Sequence, residues 1–171
     1  MSKPILIVVG AQFGSEAKGT AVGHLCKEQN INYCVRTGSI NAGHTVYYKG
    51  QPYVNQLIPV GWVNPNTTLI LGAGAYIHAG ILHKEIEMIN TTTGEDVSKR
   101  LFIDHRCGVH LEKHHEQEEG LHSRMGSTGK GCAAAIKDKM DRNFEYQLFK
   151  QLNEDNDLQF ADTSLLLNEA Y

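Results

Sequence analysis

The sequence lacks long hydrophobic runs, an excess of basic residues and a recognisable secretory signal. No stretch of its 171 residues approaches the length of a membrane span, and the first residues lack the charged segment, apolar core and cleavage site of a signal peptide. The formal net charge of −3 argues against general nucleic-acid binding. We therefore expect a cytoplasmic protein that contacts neither membranes nor nucleic acids.

The sequence also lacks paired-cysteine motifs. Its four cysteines form no C-x-x-C pair and do not show the spacing of a small disulfide scaffold; they are Cys26, Cys34, Cys107 and Cys132. This pattern is typical of reduced thiols in a reducing compartment. We expect Cys26 and Cys34 to be small residues of the hydrophobic core.

A cluster of histidines in the second half of the chain has a loosely metal-like spacing. Cys107, His110, His114 and His115 lie close together in the sequence, but they fit no recognised zinc pattern. Residues 112–119 are strongly charged, so we expect an exposed helix or loop rather than a metal site.

Apolar runs alternate with amphipathic segments along the chain. The run at residues 4–9 is apolar without alternation, as in a strand that is buried on both faces. Alternation of such strands with helices predicts an α/β fold, P-loop-like, with a largely parallel sheet flanked by helices and a small β-hairpin, in one domain over residues 1–171. We predict strands at residues 4–9, 31–36, 68–71 and 101–103, a hairpin over 46–58, and helices over 20–29, 75–89, 143–153 and from 163 onward.

The segment after the first apolar run, residues 10–20, has the composition of a phosphate-binding loop. Its glycines allow close approach of the backbone to an anion, and the following helix N-terminus adds partial positive charge. Lys18 would add a point charge, although its spacing from Gly14 is not that of the common P-loop. Taken alone, the segment is equally consistent with a tight strand-to-helix turn that binds no ligand.

Two further motifs change this interpretation. N-A-G-H-T at residues 41–45 also follows an apolar run, and G-S-T-G-K-G occupies residues 126–131. Together with G-A-Q-F-G-S-E-A-K-G at residues 10–19, they resemble, in the same order, motifs of the adenylosuccinate synthetase family. The resemblance implies the N-terminal portion of a longer synthetase, because family members are considerably longer and their second half holds aspartate and reads the triphosphate's base.

The resemblance implies a C–N bond-forming ligase of purine nucleotide biosynthesis. Members of this family phosphorylate the purine O6 with a nucleoside triphosphate in the presence of Mg²⁺, and the amine of L-aspartate then displaces phosphate at C6. The expected ligands are a purine nucleoside monophosphate, L-aspartate, and ATP, dATP or GTP. Dimers of the family predict a homodimer.

Site residues follow from the resemblance, position by position. The phosphate lysine corresponds to Lys18, and the catalytic acid to His44, whose imidazole ordinarily titrates near neutrality. Mg²⁺ is assigned to the backbone carbonyl of Gly43 and to the position of Ser15. The remaining nucleotide- and phosphate-binding candidates are Gly14, Glu16, Ala17, Gly19, Thr20, Asn41, Ala42, Thr45, Ser127, Thr128 and Arg142, the last reaching the neighbouring subunit's site.

Two positions depart from the family pattern. Ser15 stands where the family has its aspartate base, and serine does not act as a base near neutral pH without help. A short hydroxyl leaves space for the 2-amino group of guanine, which resembles the phage branch of the family that condenses dGMP with aspartate. Ala17 replaces a glycine, so a positive φ there would be strained.

We therefore predict a ligase that uses dGMP or GMP, with Ser15, Lys18 and His44 in the reaction. An IMP-using, GTP-dependent adenylosuccinate synthetase, another P-loop phosphotransferase and a nucleotide-binding fragment without full activity remain alternatives. The sequence leaves open the donor triphosphate, the choice of ribose or deoxyribose, and the replacement for the family base.

Overall fold

The computed structural model describes residues 5–12, 16–118, 128–141, 148–152 and 157–168. Two short 3-10 helices lie at Val60–Val63 and Val97–Arg100. The α-helices are α1 (Lys18–Glu28), α2 (Ala79–Thr93), α3 (Glu112–Glu118), α4 (Cys132–Asp141), α5 (Phe149–Leu152) and α6 (Thr163–Asn168). The strands are β1 (Tyr33–Arg36), β2 (His44–Tyr48), β3 (Gln51–Asn55), β4 (Thr68–Leu71), β5 (Tyr76–Ile77), β6 (Leu101–Asp104), β7 (Gly108–Val109) and β8 (Gln159–Ala161).

The main sheet has four parallel strands in the order β1-β4-β6-β8. Its central strands are apolar runs whose Leu69, Leu71, Leu101 and Ile103 side chains are fully buried. Burial on both faces is what such runs require, since parallel strands are covered by their crossover helices. The predicted α/β architecture with a largely parallel sheet is confirmed, and a two-stranded parallel pair, β5-β7, lies beside it.

The predicted hairpin is β2 and β3, an antiparallel pair. Its turn places Lys49 and Gly50 at φ 49° and 80°, the positive values that a two-residue hairpin turn needs. The hairpin packs on Trp62, whose ring lies 5.4 Å from that of Tyr48 and 5.5 Å from that of Tyr53. This packing fixes the hairpin, and with it His44 at the start of β2, against the core.

The strand predicted at residues 4–9 is wrong over the described residues 5–9. These residues lie outside any strand, and their side chains are exposed, with Ile5 at 63% and Ile7 at 79%. An apolar run indicates burial, but a strand also requires a neighbouring strand that pairs with it. Within the part of the chain that the structure describes, residues 5–9 have no such neighbour.

Helix boundaries differ from the predicted ones where a capping group intervenes. The helix predicted from residue 75 begins at Ala79, because His78 Nδ1 accepts from the Ile81 N–H at 3.4 Å, and it ends before Gly94 at φ 77°. Residues 75–77 instead carry β5. The charged segment 112–119 is a helix, α3, over its described part, but its His114 and Glu118 are buried, contrary to the expected exposure.

The C-terminal third contains elements that the periodicity did not reveal. Helix α4 and strand β8 were not predicted, and of the helix predicted over 143–153 the described residues include only α5. Residues 142–147 and 153–156 lie outside the described residues. Among the described helices, none is long and apolar enough to cross a membrane.

Candidate active site

The loop before α1 holds a carboxylate among groups suited to an anion. Glu16 accepts from the backbone N–H groups of Ala11 and Gln12, each at 2.8 Å, and from Lys18 Nζ at 2.5 Å. The Lys18 ammonium, and next the Gln12 N–H, hold the pKa of Glu16 below its usual value. Two converging N–H groups and a lysine can equally hold a phosphate oxygen. We call residues 10–18 the anion loop, because its N–H groups and Lys18 bind the carboxylate of Glu16.

Helix α1 lies directly against the start of the hairpin. A side chain at Gly19 would meet the Thr45 carbonyl oxygen at 2.7 Å, so only glycine permits this approach. Thr20 Oγ1 donates to the same carbonyl at 3.1 Å. The start of α1 and the second sequence motif are thereby brought together.

The imidazole of His44 faces an arginine. Arg36 Nη1 donates to His44 Nε2, and because a guanidinium only donates, the neutral ring carries its proton on Nδ1. Burial first, and then the charges of Arg36 and Lys18, lower the pKa of His44 to about 4. The ring is neutral at pH 7, so it can donate a hydrogen bond from Nδ1 but does not act as an imidazolium.

The third motif approaches the second through Cys132 at the start of α4. Cys132 Sγ lies 3.4 Å from Ser39 Oγ, just before the turn that carries Asn41, Ala42 and Gly43. The three turn residues are exposed and accessible to a ligand. The side chain of Val54 on β3 would lie 2.7 Å from a Cβ at position 43, which accounts for glycine there. The residue that follows the third motif therefore contacts the segment that leads into the second motif.

The loop before α4 is held by a buried carboxylate. Glu118 accepts from the N–H groups of Gly131 and Ala133 at 2.8 Å and of Ala134 at 3.2 Å. Gly131 has φ 73° and its Cα faces the His114 backbone, so a larger residue would clash. Thr128, two residues before Lys130, is exposed. These three hydrogen bonds to Glu118 cap the N-terminus of α4 and fix the point at which the loop joins the helix.

Some predicted site residues lie outside the described residues: Gly14, Ser15, Ser127 and Arg142. Their roles stay predictions. The described neighbour Ala17 has φ 55° and ψ 26°, a left-handed conformation. The strain expected for alanine at this position is therefore present, and it lies directly before the first turn of α1.

Within the histidine cluster His110 and His114 are buried, and His115 is partly buried. The His110 ring centroid lies 5.0 Å from that of His115 and 5.6 Å from that of His114, and His110 Nδ1 is 3.1 Å from Ser39 Oγ. His114 Nε2 contacts Asp138 at 3.1 Å. Over the ranges that the structure describes, no group of three or more His, Cys, Asp or Glu side chains is arranged to hold a metal ion.

Arg36 and Glu118 are functional candidates that sequence reasoning missed. The available signal for Arg36 was a lone arginine at the end of a predicted strand, directly before a motif of small residues. Glu118 gave no signal, because its helix was interpreted as a solvated surface. Both residues act through contacts with segments distant in the sequence.

Comparison with known proteins decides the family. The family model described as adenylosuccinate synthetase matches residues 7–163. The chain belongs to the adenylosuccinate synthetase family. The adenylosuccinate synthetase of Methanococcus maripaludis is 39% identical over 143 residues, covering 81% of this chain and 42% of the relative. That of Methanococcus aeolicus is 36% identical over 172 residues, covering 96% of this chain and 48% of the relative. The chain thus spans about half the length of these family members.

Two solved structures of the family's type share the fold. The cyanophage S-2L succinoaminodeoxyadenylate synthetase, bound to dGMP and to dATP as an energy donor, matches with a TM-score of 0.77 at 25% identity, over 92% of this chain and 45% of that chain. The fully ligated adenylosuccinate synthetase of Plasmodium falciparum matches with a TM-score of 0.69 at 26% identity, over 78% of this chain and 32% of that chain.

Proposed function

We propose that this chain supplies the monophosphate-binding and phosphoryl-transfer half of a ligase that joins L-aspartate to C6 of dGMP or GMP. The observation that supports the proposal is that segments adjoining the three motifs contact one another. Thr20 binds the Thr45 carbonyl, and Cys132 contacts Ser39, so the anion loop, the His44 turn and the loop before α4 are neighbours.

In the proposed reaction the purine lies on the turn at residues 41–43. The neutral His44 ring donates from Nδ1 to O6, and this bond strengthens as negative charge develops on that oxygen. Lys18 leaves Glu16 and binds the phosphates of the triphosphate, while Ser127 and Thr128 hold the 5′-phosphate. After transfer of the γ-phosphoryl group to O6, the aspartate amine attacks C6 and inorganic phosphate departs.

The residues present are compatible with Mg²⁺ at this site. Mg²⁺ usually takes one or two protein oxygens and completes its shell with water and substrate phosphates. Gly43 is exposed, and the Glu16 carboxylate lies in the anion loop, so hard oxygen donors are available beside the proposed phosphates. The Gly43 carbonyl, the Ser15 position and Glu16 would hold the ion, which would neutralise charge on the transferred phosphoryl group.

Ser15 supports a guanine nucleotide as the substrate. Its hydroxyl is shorter than the aspartate of the family pattern and can accept from a 2-amino group, which hypoxanthine lacks. The phage structure was solved with dGMP, and the likeness to it covers 92% of this chain. The names of the archaeal relatives, at 36–39% identity, favour the alternative substrate, IMP.

Phosphate release by the purified chain, mixed with the remaining half of a family synthetase that supplies the aspartate site, tests the proposal. We expect release that requires both aspartate and dGMP or GMP, in the presence of Mg²⁺ and ATP, dATP or GTP. Turnover with IMP alone would establish the alternative substrate. Release independent of aspartate would indicate another phosphotransferase, and calorimetric binding of dGMP without turnover would indicate a binding fragment.

A matched pair of variants separates chemistry from folding. Ser15→Asp should shift the preference from dGMP towards IMP, whereas Ser15→Ala, which keeps the space for the 2-amino group and loses the hydroxyl acceptor, should retain a weaker preference for dGMP. An unchanged preference in Ser15→Asp would contradict the role assigned to Ser15. Sedimentation velocity of the purified chain would test the expected homodimer.

A further inference from the structure

We propose that Arg36 is a positioning residue that fixes His44 as the Nδ1–H tautomer and aims this N–H at the substrate oxygen. The inference deepens the proposed function and rests on it for the identity of the substrate. The assignment of the tautomer rests on the unliganded geometry alone. It starts from the contact between Arg36 Nη1 and His44 Nε2.

The guanidinium reaches His44 from a fixed position. Its Nη2 donates to the carbonyl oxygens of Gln56 at 2.5 Å and Ser39 at 3.2 Å. Its Nε is buried without a hydrogen-bond partner among the described residues, so the two terminal nitrogens alone hold the group. A planar fork that spans two carbonyls and one imidazole nitrogen leaves the histidine ring little freedom to flip.

The segment that carries the Gln56 carbonyl is itself held by a buried carboxylate. Glu85, on α2, accepts from the N–H groups of Gln56 at 2.5 Å and Ile58 at 2.8 Å, and of Leu57 at 3.2 Å. Its negative charge also faces Arg36 and offsets the cost of burying the guanidinium. The segment after the hairpin is thereby rigid, and Arg36 takes its position from that segment.

The same segment connects to the turn that would hold the purine. Gln56 Nε2 donates to the Ile40 carbonyl at 2.6 Å, directly before Asn41. The contact of Arg36 to Ser39 and that of Gln56 to Ile40 therefore fix the position of the turn relative to the His44 ring. Because Nε2 of His44 accepts from Arg36, only Nδ1 can donate from the neutral ring. A purine bound on the turn would then be the group to which Nδ1 donates.

The direct test is nitrogen-15 NMR of histidine-labelled chain without nucleotide, under conditions in which the ring is neutral. His44→Gln assigns the resonances of His44. We expect the Nδ1–H tautomer in the wild type, and a shift towards the Nε2–H form, which free histidine favours, in both Arg36→Gln and Arg36→Lys. The lysine variant keeps the charge and loses the fork, so it separates the two effects.

Arg100→Gln is the matched control. Arg100 is also partly buried and donates to the backbone carbonyls of Trp62, Asn64 and Thr67, at 2.9, 3.3 and 2.8 Å, without contacting His44. Its loss should perturb stability in a similar way and leave the His44 tautomer unchanged. A tautomer unchanged in Arg36→Gln, or an Nε2–H tautomer in the wild type, would overturn the proposal.

Kinetics distinguish positioning from substrate binding. Arg36→Gln should lower kcat by about 10²-fold, the lower end of the range for losing one hydrogen-bond donor to a developing oxyanion, with little change in KM for the monophosphate. A loss confined to KM would overturn the proposal. If the wild-type chain mixed with the remaining half of a family synthetase shows no aspartate-dependent turnover, the proposed function fails, and the NMR comparison still decides whether Arg36 sets the tautomer.

Discussion

We expect the buried carboxylate of Glu118 to hold the loop before α4, which carries the end of the third motif, in position for a ligand. It accepts three N–H groups from the first residues of α4 and the loop before it. Glu118→Gln retains one acceptor oxygen and removes the charge, whereas Glu118→Ala removes all three bonds. Hydrogen bonds to a charged group contribute about 1.5–3 kcal/mol each, and water that reaches the helix end replaces part of what is lost. We therefore expect the free energy of unfolding to fall by about 1–3 kcal/mol in Glu118→Gln and by about 2–4 kcal/mol in Glu118→Ala.

Urea denaturation followed by circular dichroism measures these losses. Glu116→Gln is the matched control, since Glu116 lies on the same helix, α3, and is exposed. It should change the free energy of unfolding by no more than about 0.5 kcal/mol. The affinity for dGMP should fall in Glu118→Gln and not in the control, because the loop that carries Thr128 loses its attachment. Equal changes in unfolding free energy and dGMP affinity in Glu118→Gln and Glu116→Gln would refute the role of Glu118 as the cap of α4.

Three further predictions concern strain, pH and the anion loop. Ala17→Gly should raise the free energy of unfolding by about 0.5–1 kcal/mol in urea titrations, because relief of left-handed strain exceeds the added chain entropy; a decrease would contradict the strained conformation. Burial, and then the neighbouring histidines, lower the pKa of His110 to about 4, so stability should fall as pH drops from about 6.5 to 4, by up to about 1.4 kcal/mol per pH unit. His110→Gln should flatten this slope, and an unchanged slope would show that the ring is accessible when folded. In Mg²⁺-free buffer, Glu16→Gln should tighten tripolyphosphate binding by about 2- to 5-fold in calorimetry, because Lys18 loses its ion pair, and weaker binding would mean that Glu16 supports the loop.

Strands and motifs could be predicted where the local sequence carries the whole signal. Residues 68–71 and 101–103 are apolar runs bounded by turn residues, and both form central strands of the sheet. The hairpin was predictable from Lys49 and Gly50, which supply its turn. The strand predicted at residues 4–9 failed over the described residues because a run shows apolar character and does not reveal a pairing partner.

The site was predictable in its motifs and not in its supporting contacts. The family resemblance predicted that Lys18 and His44 serve one site, and the contact between Thr20 and the Thr45 carbonyl brings their two segments together. Arg36 and Glu118 could not be predicted, because each binds residues that only the folded chain brings near. Periodicity placed Glu118 on a charged surface, although the N-terminus of α4 buries it.

A crystal structure of the chain with dGMP tests the central claim most directly. The account predicts the monophosphate at Thr128 and the purine over the turn at residues 41–43, with O6 within hydrogen-bond distance of His44 Nδ1. A nucleotide bound on another face, or O6 turned away from His44, would contradict it.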